Sequence, residues 1–545
     1  MQTYHLFSDG ILDYHERTKH HFNRNARSLG YLDWDTQPNP FRFYEGCESR
    51  SLPLLEGDPL AGHMDLYKRV NNAPKQFALG PIAAFLELSL GLSAWKGIEG
   101  SKWALRMNPS SGNLHPTEAH LILPEMVPIP AGVYHYDPYH HALELRATTP
   151  EGMWAAFLVH FQTGGFIIGL SSIFWRESWK YGERAYRYCN LDAGHALACL
   201  SFAANLQGWK VVHLNALSTA DLETILGFDR TTWPGLEAEH PDLLCMVFPN
   251  NISNRDVPRG LSSEMLNIFS ELSFEGVPNR LSSDHVDWET IYETAEKTRK
   301  PRIPGNMHDY GTPPFYEAPQ SQFSAAQIIR KRRSGASFDP RAQTLSMEHF
   351  LATLDKTRPR DGGAPFDLEL GETNINLLIF IHSVEGLIPG LYFFLRNEAD
   401  GGEIKRAARS EFIWEQIDGS LPLYLLAEGD VRQDAIRVSC HQEIAGQGAF
   451  SIGMIARFRE IVTQTPYRYP CLFWEAGMVG QVLYLEAEAY GLSGTGIGCF
   501  FDDPVHEIMG LTEDCFQSLY HFTVGRAMRD LLLETYPPYH HLEER

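Results

Sequence analysis

Tyr186-Arg-Tyr-Cys-Asn-Leu-Asp-Ala-Gly-His195 and Tyr467-Arg-Tyr-Pro-Cys-Leu-Phe-Trp-Glu-Ala-Gly-Met478 are similar, and each leads into an apolar helical pattern ending at Gly208-Trp209 or Gly491-Leu492. The pairs His195 and Met478, Gly208 and Gly491, and Gly227 and Gly510 are all 283 residues apart. Upstream, Gly132-Val-Tyr134 matches Gly390-Leu-Tyr392 at a spacing of 258, so the second copy carries about 25 extra residues, within the stretch Arg396 to Thr465. A spacing held constant across several landmarks is the mark of a duplicated domain. Each copy reads as a helix, short strands around the Gly-x-Tyr turn, a long helix after Ala-Gly, then a strand and a short helix. Helices of ~15 residues mixed with short β-branched and aromatic runs predict an α+β fold.

The chain has 545 residues, enough for two domains of ordinary enzyme size. Between Thr298 and Gln320 lie Pro301, Pro304, Pro313, Pro314 and Pro319, a composition that resists helix and sheet. The expected division is therefore a first domain over 1–280, a proline-rich linker over 281–320 and a second domain over 321–545.

Composition excludes several classes. Hydrophobic residues make up 43% and charged residues 21%, globular proportions that rule out a wholly disordered chain. A net charge of −22 repels a phosphate backbone, so no nucleic-acid partner is expected. No apolar run approaches the ~18 to 20 residues needed to cross a bilayer, the candidates Leu377 to Ile381 and Phe166 to Leu170 being strand-length, so no membrane span is expected. The start, Met1-Gln-Thr-Tyr-His5, lacks a basic segment followed by an apolar one, which predicts a cytoplasmic address. The eight cysteines show no Cys-x-x-Cys, so neither structural zinc nor a disulfide framework is expected. The doublets His20-His21, His140-His141 and His540-His541 read as solvated surface, and no metal site is predicted.

Three segments carry chemistry. Ile328-Ile-Arg-Lys-Arg-Arg-Ser-Gly-Ala-Ser-Phe338 places Lys331, Arg332, Arg333 and Ser334 at the end of an amphipathic helix. In an acidic chain, planar guanidinium groups beside a hydroxyl suit phosphate oxygens; the same cluster also reads as a cationic helix C-terminus complementing the macrodipole. Met107-Asn-Pro-Ser-Ser-Gly-Asn-Leu-His-Pro-Thr-Glu118 is dense in turn formers, either a polar cradle for a ring system or a capped turn before a strand. Gly491-Leu-Ser-Gly-Thr-Gly-Ile-Gly-Cys-Phe-Phe-Asp-Asp-Pro504 alternates three glycines, which lets backbone approach a flat ligand. It is neither Gly-x-Gly-x-x-Gly nor a phosphate-binding loop with a following lysine.

In combination these segments resemble the flavin-dependent nitroreductase superfamily, and within it the SagB-type branch, dehydrogenases that oxidise thiazolines and oxazolines in peptide natural products. Tyr14-His-Glu-Arg-Thr-Lys-His20, Arg27-Ser-Leu-Gly-Tyr-Leu-Asp-Trp34 and Tyr181-Gly-Glu-Arg-Ala-Tyr-Arg-Tyr188 extend the likeness over most of the chain. The resemblance implies two nitroreductase-like domains that intertwine as an intramolecular pseudo-dimer, with FMN in their interface. It also implies the cofactor residues. Copy two would supply Arg332, Arg333 and Ser334, the glycine segment Gly496, Ile497 and Gly498, and the C-terminal Arg526 with Arg529. Copy one would supply Pro109, Ser110, Ser111 and Asn113. Ala336 stands where the family usually has an arginine, leaving Arg526 or Arg529 to compensate. The mirror site looks degenerate, with only Tyr67-Lys-Arg69 in place of Arg-Arg-Ser and no Pro-Ser-Ser in Leu368 to Asn376, so one FMN per chain is expected.

The implied activity is hydride transfer through flavin N5, with Lys180 and Tyr181 matching the Lys-Tyr pair assigned to proton removal in azoline-oxidising relatives. Copy two has Ile461 and Val462 in the corresponding place. The charges around Lys180 also read as an ordinary solvated helix start. His195 reads as a packing or capping residue rather than a catalyst. Two other functions stay open: an NAD(P)H-dependent nitro or quinone reductase, and a degenerate flavin fold kept as a binding or scaffold protein. The expected partners are a small-molecule or peptide substrate, with NAD(P)H as candidate donor, and the pseudo-dimer can stand as a monomer or dimerise further.

Overall fold

The structure is a computed structural model that describes residues 2–69, 73–341, 345–528, 530 and 532–543. In the first half the strands are β1 (Glu48–Ser51), β2 (Leu92–Ile98), β3 (Ser101–Arg106), β4 (Thr117–Leu123), β5 (Gly132–Asp137), β6 (Ala142–Thr148), β7 (Phe166–Ser172), β8 (Trp209–His213) and β9 (His240–Pro249). The second half has β10 (Ile375–Ile381), β11 (Gly390–Phe394), β12 (Glu415–Asp418), β13 (Leu421–Glu428), β14 (Phe450–Arg457), β15 (Ser493–Ile497), β16 (Phe516–Gly525) and β17 (Glu534–Tyr536). Six helices matter to the site: α1 (Gln2–Arg17), α2 (Phe174–Tyr181), α3 (Ala185–Leu206), α4 (Ala325–Lys331), α5 (Tyr469–Ala489) and α6 (Asp502–Met509).

Each half builds a seven-stranded antiparallel sheet, ordered β1-β6-β5-β4-β7-β9-β8 and β12-β13-β11-β10-β14-β16-β15. Register repeats with order: Leu121 opposes Ile168 in the first sheet as Ile379 opposes Ile452 in the second. Central strands such as β7 and β10 are buried throughout, which is why they read as continuous apolar runs instead of alternating ones. The outer strands differ. In the first sheet β1 precedes the rest of the sheet in the chain, whereas β12 lies within the long β11 to β13 connection that holds most of the extra residues.

Two local expectations need correction. Gly132-Val-Tyr134 and Gly390-Leu-Tyr392 open strands β5 and β11 and are not turns. The Ala-Gly pairs sit in the middle of α3 and α5, not ahead of them. There the two helices cross, and a Cβ on Gly194 would collide with the backbone of Trp474. Only glycine permits that approach. Every residue of α3 is buried, and one apolar core containing Leu197 and Val482 runs through both halves.

The termini are exchanged. Beyond α1, Lys19 Nζ reaches Asp503 at 2.8 Å, and the His20 backbone N–H donates to Asp502 at 3.0 Å. At the other end β17 pairs with β2, which forms a hairpin with β3, and the Leu92 N–H donates to the Tyr539 hydroxyl at 2.9 Å. Asp502 also takes Arg184 at 2.9 Å and Arg187 at 2.8 Å, joining the start of α6 to the start of α3. Between the halves, Glu289–Lys297 is helical and 298–320 contain neither helix nor strand. Among the described residues no helix is long and apolar enough to cross a membrane.

Candidate cofactor site between the two halves

A cavity of about 640 Å³ lies between the halves. Pro109, Ser110, Ser111, Asn113 and Tyr181 line it from the first, and Arg332, Arg333, Ser334, Gly496, Ile497 and Gly498 from the second. The loop from Pro109 to Asn113 thus meets residues more than 200 positions later in the chain. Lys180 is not in the wall, but its Nζ lies 5.2 Å from the Tyr181 ring centre. A Cβ on Gly112 would come within 2.7 Å of the Tyr181 hydroxyl and 3.1 Å of Lys180 Nζ, so both flank the Pro-Ser-x-x-Asn loop. Arg526 is exposed and does not line the cavity, although its neighbours Ala527 and Met528 do. Arg529 lies outside the described residues.

The second half supplies the cationic end. Ser324 caps the start of α4, and Arg332 leaves the helix at φ −49°, ψ 124°, turning the next residues toward β15. Ser334 shares a 2.8 Å hydrogen bond with the Tyr484 hydroxyl, which accepts from the Gly496 N–H at 3.0 Å. Arg332 is buried and Arg333 half-buried, and each hydrogen bond of both guanidinium groups goes to a backbone carbonyl: Arg106 at 3.0 Å, Ser93 at 2.9 Å, Arg330 at 2.8 Å and Arg332 at 2.6 Å. Glu488 acts on them from a distance without an ion pair, and burial pushes Arg333 down to about 10. Arg332 Nε and Arg106 Nε have no partner among the described residues. Ala336 lines the cavity, and so do Arg106 and Lys96 of the first half.

The first half supplies hydroxyls and acids. Ser111 donates to Asp192 through its backbone N–H at 3.1 Å and its Oγ at 2.9 Å. Ser110 accepts from the His115 N–H at 2.8 Å, and Asn113 donates to the Ala104 carbonyl at 2.9 Å. Gly112, Asn113 and His115 all hold positive φ, the price of a loop folded this tightly. Burial pushes Asp192 up to about 7 and Glu177 well above the carboxyl range, the latter helped by Asp192. The pair therefore retains a proton at neutral pH. Tyr181 is also raised, by burial and then by Glu177, and stays a hydroxyl. His195 bonds Tyr520 at 3.1 Å and Gln481 at 3.2 Å, and burial holds it neutral, down to about 3.

Several wall residues escape a reading of sequence. Tyr484 and Tyr520 carry no local signal, since their partners lie far away in the chain. Asp192 was within reach: it sits in the repeated phrase, and Glu475 occupies the same place in copy two. At the rim, the free thiols of Cys440 and Cys499 are 2.6 Å apart, although spacing in the chain suggests no pairing.

The equivalent position on the other side of the pseudo-twofold is built differently. Glu369 stands 258 residues after Ser111 and pairs with Arg259 at 2.5 Å. Tyr310 of the connecting segment donates to the Gly371 carbonyl at 2.6 Å. Two compartments result, of about 510 and 1000 Å³, both lined by Met307, His308 and Glu369.

Residues 403–526 match the model of the Nitroreductase family. Trifolitoxin-processing protein TfxB of Rhizobium leguminosarum bv. trifolii is 31% identical over 130 residues, 22% of this chain. That match spans 35% of TfxB, about a third of its length. The crystal structure of a candidate nitroreductase from Anabaena variabilis superposes with a TM-score of 0.65 at 21% identity, covering 95% of this chain and 99% of that one. A second candidate nitroreductase, from Ralstonia eutropha, has a TM-score of 0.28 at 19% identity, covering 40% of this chain and 90% of its own. At 21% identity the Anabaena superposition speaks to fold alone. Residues 403–526 are thus a Nitroreductase family domain, and the chain as a whole has the mixed α/β fold of two nitroreductase-like domains.

Proposed function

We propose that the chain is an FMN-dependent oxidoreductase of SagB type that dehydrogenates an azoline or related heterocycle, free or carried on a peptide. The observation that carries this reading is the pair of guanidinium groups, Arg332 and Arg333, that face a cavity between the halves with only carbonyls as hydrogen-bond partners. A desolvated cation without an anion is costly, and a bound phosphate removes that cost. The residues present fit the group. Arg332, Arg333 and Ser334 would hold the phosphate, while the backbone of Gly496 to Gly498 and the Ser110-Ser111 loop would border the ring. FMN, when bound, supplies hydride acceptance at N5.

The chain's own residues do the remaining work. Lys180, in its free-amine form, would receive the proton lost by the substrate and become the ammonium, and the Tyr181 hydroxyl, kept protonated by burial, orients the substrate beside Gly112. Asp192 fixes the Ser111 side of the loop. Exposed Met528 sets apolar surface at the mouth. The partial likeness to a trifolitoxin-processing protein supports a peptide-borne substrate.

The test is flavin content followed by reduction. Purified chain, loaded with FMN, should bleach when given a thiazoline-containing peptide and keep its colour with NADPH over the same period. Rapid bleaching by NADPH alone identifies a nitro or quinone reductase instead, and failure to bind FMN leaves a scaffold protein.

A further inference from the structure

The 510 Å³ compartment is a made pocket and not a leftover gap. Its wall is aromatic, with Phe174, Tyr186, Tyr292 and Trp474, interrupted by polar side chains. His213 is 9% exposed, lines the compartment and has no hydrogen-bond partner for its ring among the described residues. Burial, with Lys300 and Arg259, holds it neutral at about 3, so it offers one donor and one acceptor. It stands 283 residues before Gly496 and holds the same register in its sheet, so a polar ring fills the place of a glycine in the other copy.

Two cations of the compartment, Lys300 and Arg468, have no carboxylate partner among the described residues. The Lys300 ammonium donates to the carbonyls of Leu217 at 2.7 Å and Pro301 at 3.3 Å, with no carboxylate among its partners. The Arg468 guanidinium has no ion pair among the described residues; it lines the compartment with Lys300 and Cys471, whose thiol burial pushes up to about 11 against the pull of both cations. Of the other acids in the wall, Glu223 and Glu296 share Arg299 at 2.6 and 3.5 Å, Glu369 pairs with Arg259 at 2.5 Å, and Glu372 is solvent-exposed. Asp242 accepts from Ser172 at 2.8 Å and is pushed by burial up to about 8, so at neutral pH it is a neutral carboxylic acid able to donate.

We propose that this compartment is a second small-molecule site and that it takes a planar aromatic anion, its ring against Tyr186, Tyr292 and Trp474 and its charged group between Lys300 and Arg468. Volume, aromatic wall and two cations without a carboxylate partner agree on that class. Flavin does not suit it, because Met307 and His308 separate it from the 1000 Å³ compartment, where the phosphate end would have to lie.

Indole-3-acetate is the probe, with indole-3-acetamide as its uncharged counterpart, titrated calorimetrically into the full chain loaded with FMN. The expected result is one saturable site for the acid, at least tenfold weaker binding of the amide, and at least tenfold weaker binding of the acid to Lys300→Gln and Arg468→Gln. Cys471 gives an independent reading that needs no variant: saturating acid should slow its alkylation by iodoacetamide severalfold, followed by peptide mass spectrometry. The absence of saturable binding, equal affinity for acid and amide, or unprotected Cys471 each overturns the proposal. Protection of Cys471 by excess FMN with a second flavin retained per chain also overturns it.

Discussion

Gly194 and Gly477 sit face to face where α3 and α5 cross, and a Cβ on Gly477 would run into the Leu191 carbonyl and the Gly194 Cα. The two Ala-Gly pairs that reveal the duplication in sequence are therefore the same two residues that let the copies join. Backbone cannot move aside as a side-chain end can, so overpacking here should cost about 1 to 3 kcal/mol per substitution. Gly194→Ala and Gly477→Ala should each lower the urea midpoint of the full chain, and the double variant should lose less than the sum, because the first separation relieves the second. Unchanged midpoints would mean that the crossing is looser than described.

One half should dominate flavin retention. Arg332→Ala removes a charge-assisted contact worth roughly 1.5 to 3 kcal/mol and should weaken FMN binding about tenfold or more by fluorescence titration. Lys68→Ala, on the divided side, should leave it unchanged. Flavin released by denaturation should approach one per chain, since Tyr310 and the Glu369 ion pair stand where a second would lie.

Asp192 should make stability depend on pH. Its folded pKa of about 7 lies above the ordinary 3.8, so its favourable share is fully present below 3.8 and is lost as pH rises through 7. Asp192→Asn, which can still accept from Ser111, should match the wild type near pH 4 and exceed it at pH 8. A midpoint difference that stays flat across this range would show that the carboxyl titrates normally.

The isolated second half, residues 321–545, should bind FMN poorly and melt well below the full chain. It lacks the Ser110-Ser111 loop and exposes α5, whose buried face otherwise packs on α3. Apolar burial lost at about 25 cal/mol per Å² separates that cause from missing contacts. Asn113→Ala in the full chain keeps the burial. Because its amide bonds the Ala104 carbonyl, that variant should loosen the loop and weaken flavin severalfold without a large drop in melting temperature.

Residues linked by spacing were the legible part of this chain. A constant interval between Ala-Gly pairs, and apolar runs such as Leu377 to Ile381, survive in a single sequence because periodicity and repetition are local properties. Arg332 and Ser111 could be named through motif likeness. Tyr484 could not, since its role depends on Ser334 and Gly496 arriving at one hydroxyl from opposite directions. Arg106 carries no signal either, although it stands three residues before Pro109: its place in the wall shows only where Arg332 of the other half donates to its carbonyl.

That exchanged pairing of the termini makes the peptide between the halves dispensable as a fastener. With the first helix anchored on one partner and the last strand stitched into the other, a cut near residue 305 would leave two interlocked fragments held by their surfaces. What the intact connection contributes is address: it guarantees that each half meets its own complement and not a twin, so asymmetric sites can diverge on opposite sides of a single molecule without being scrambled by reassortment.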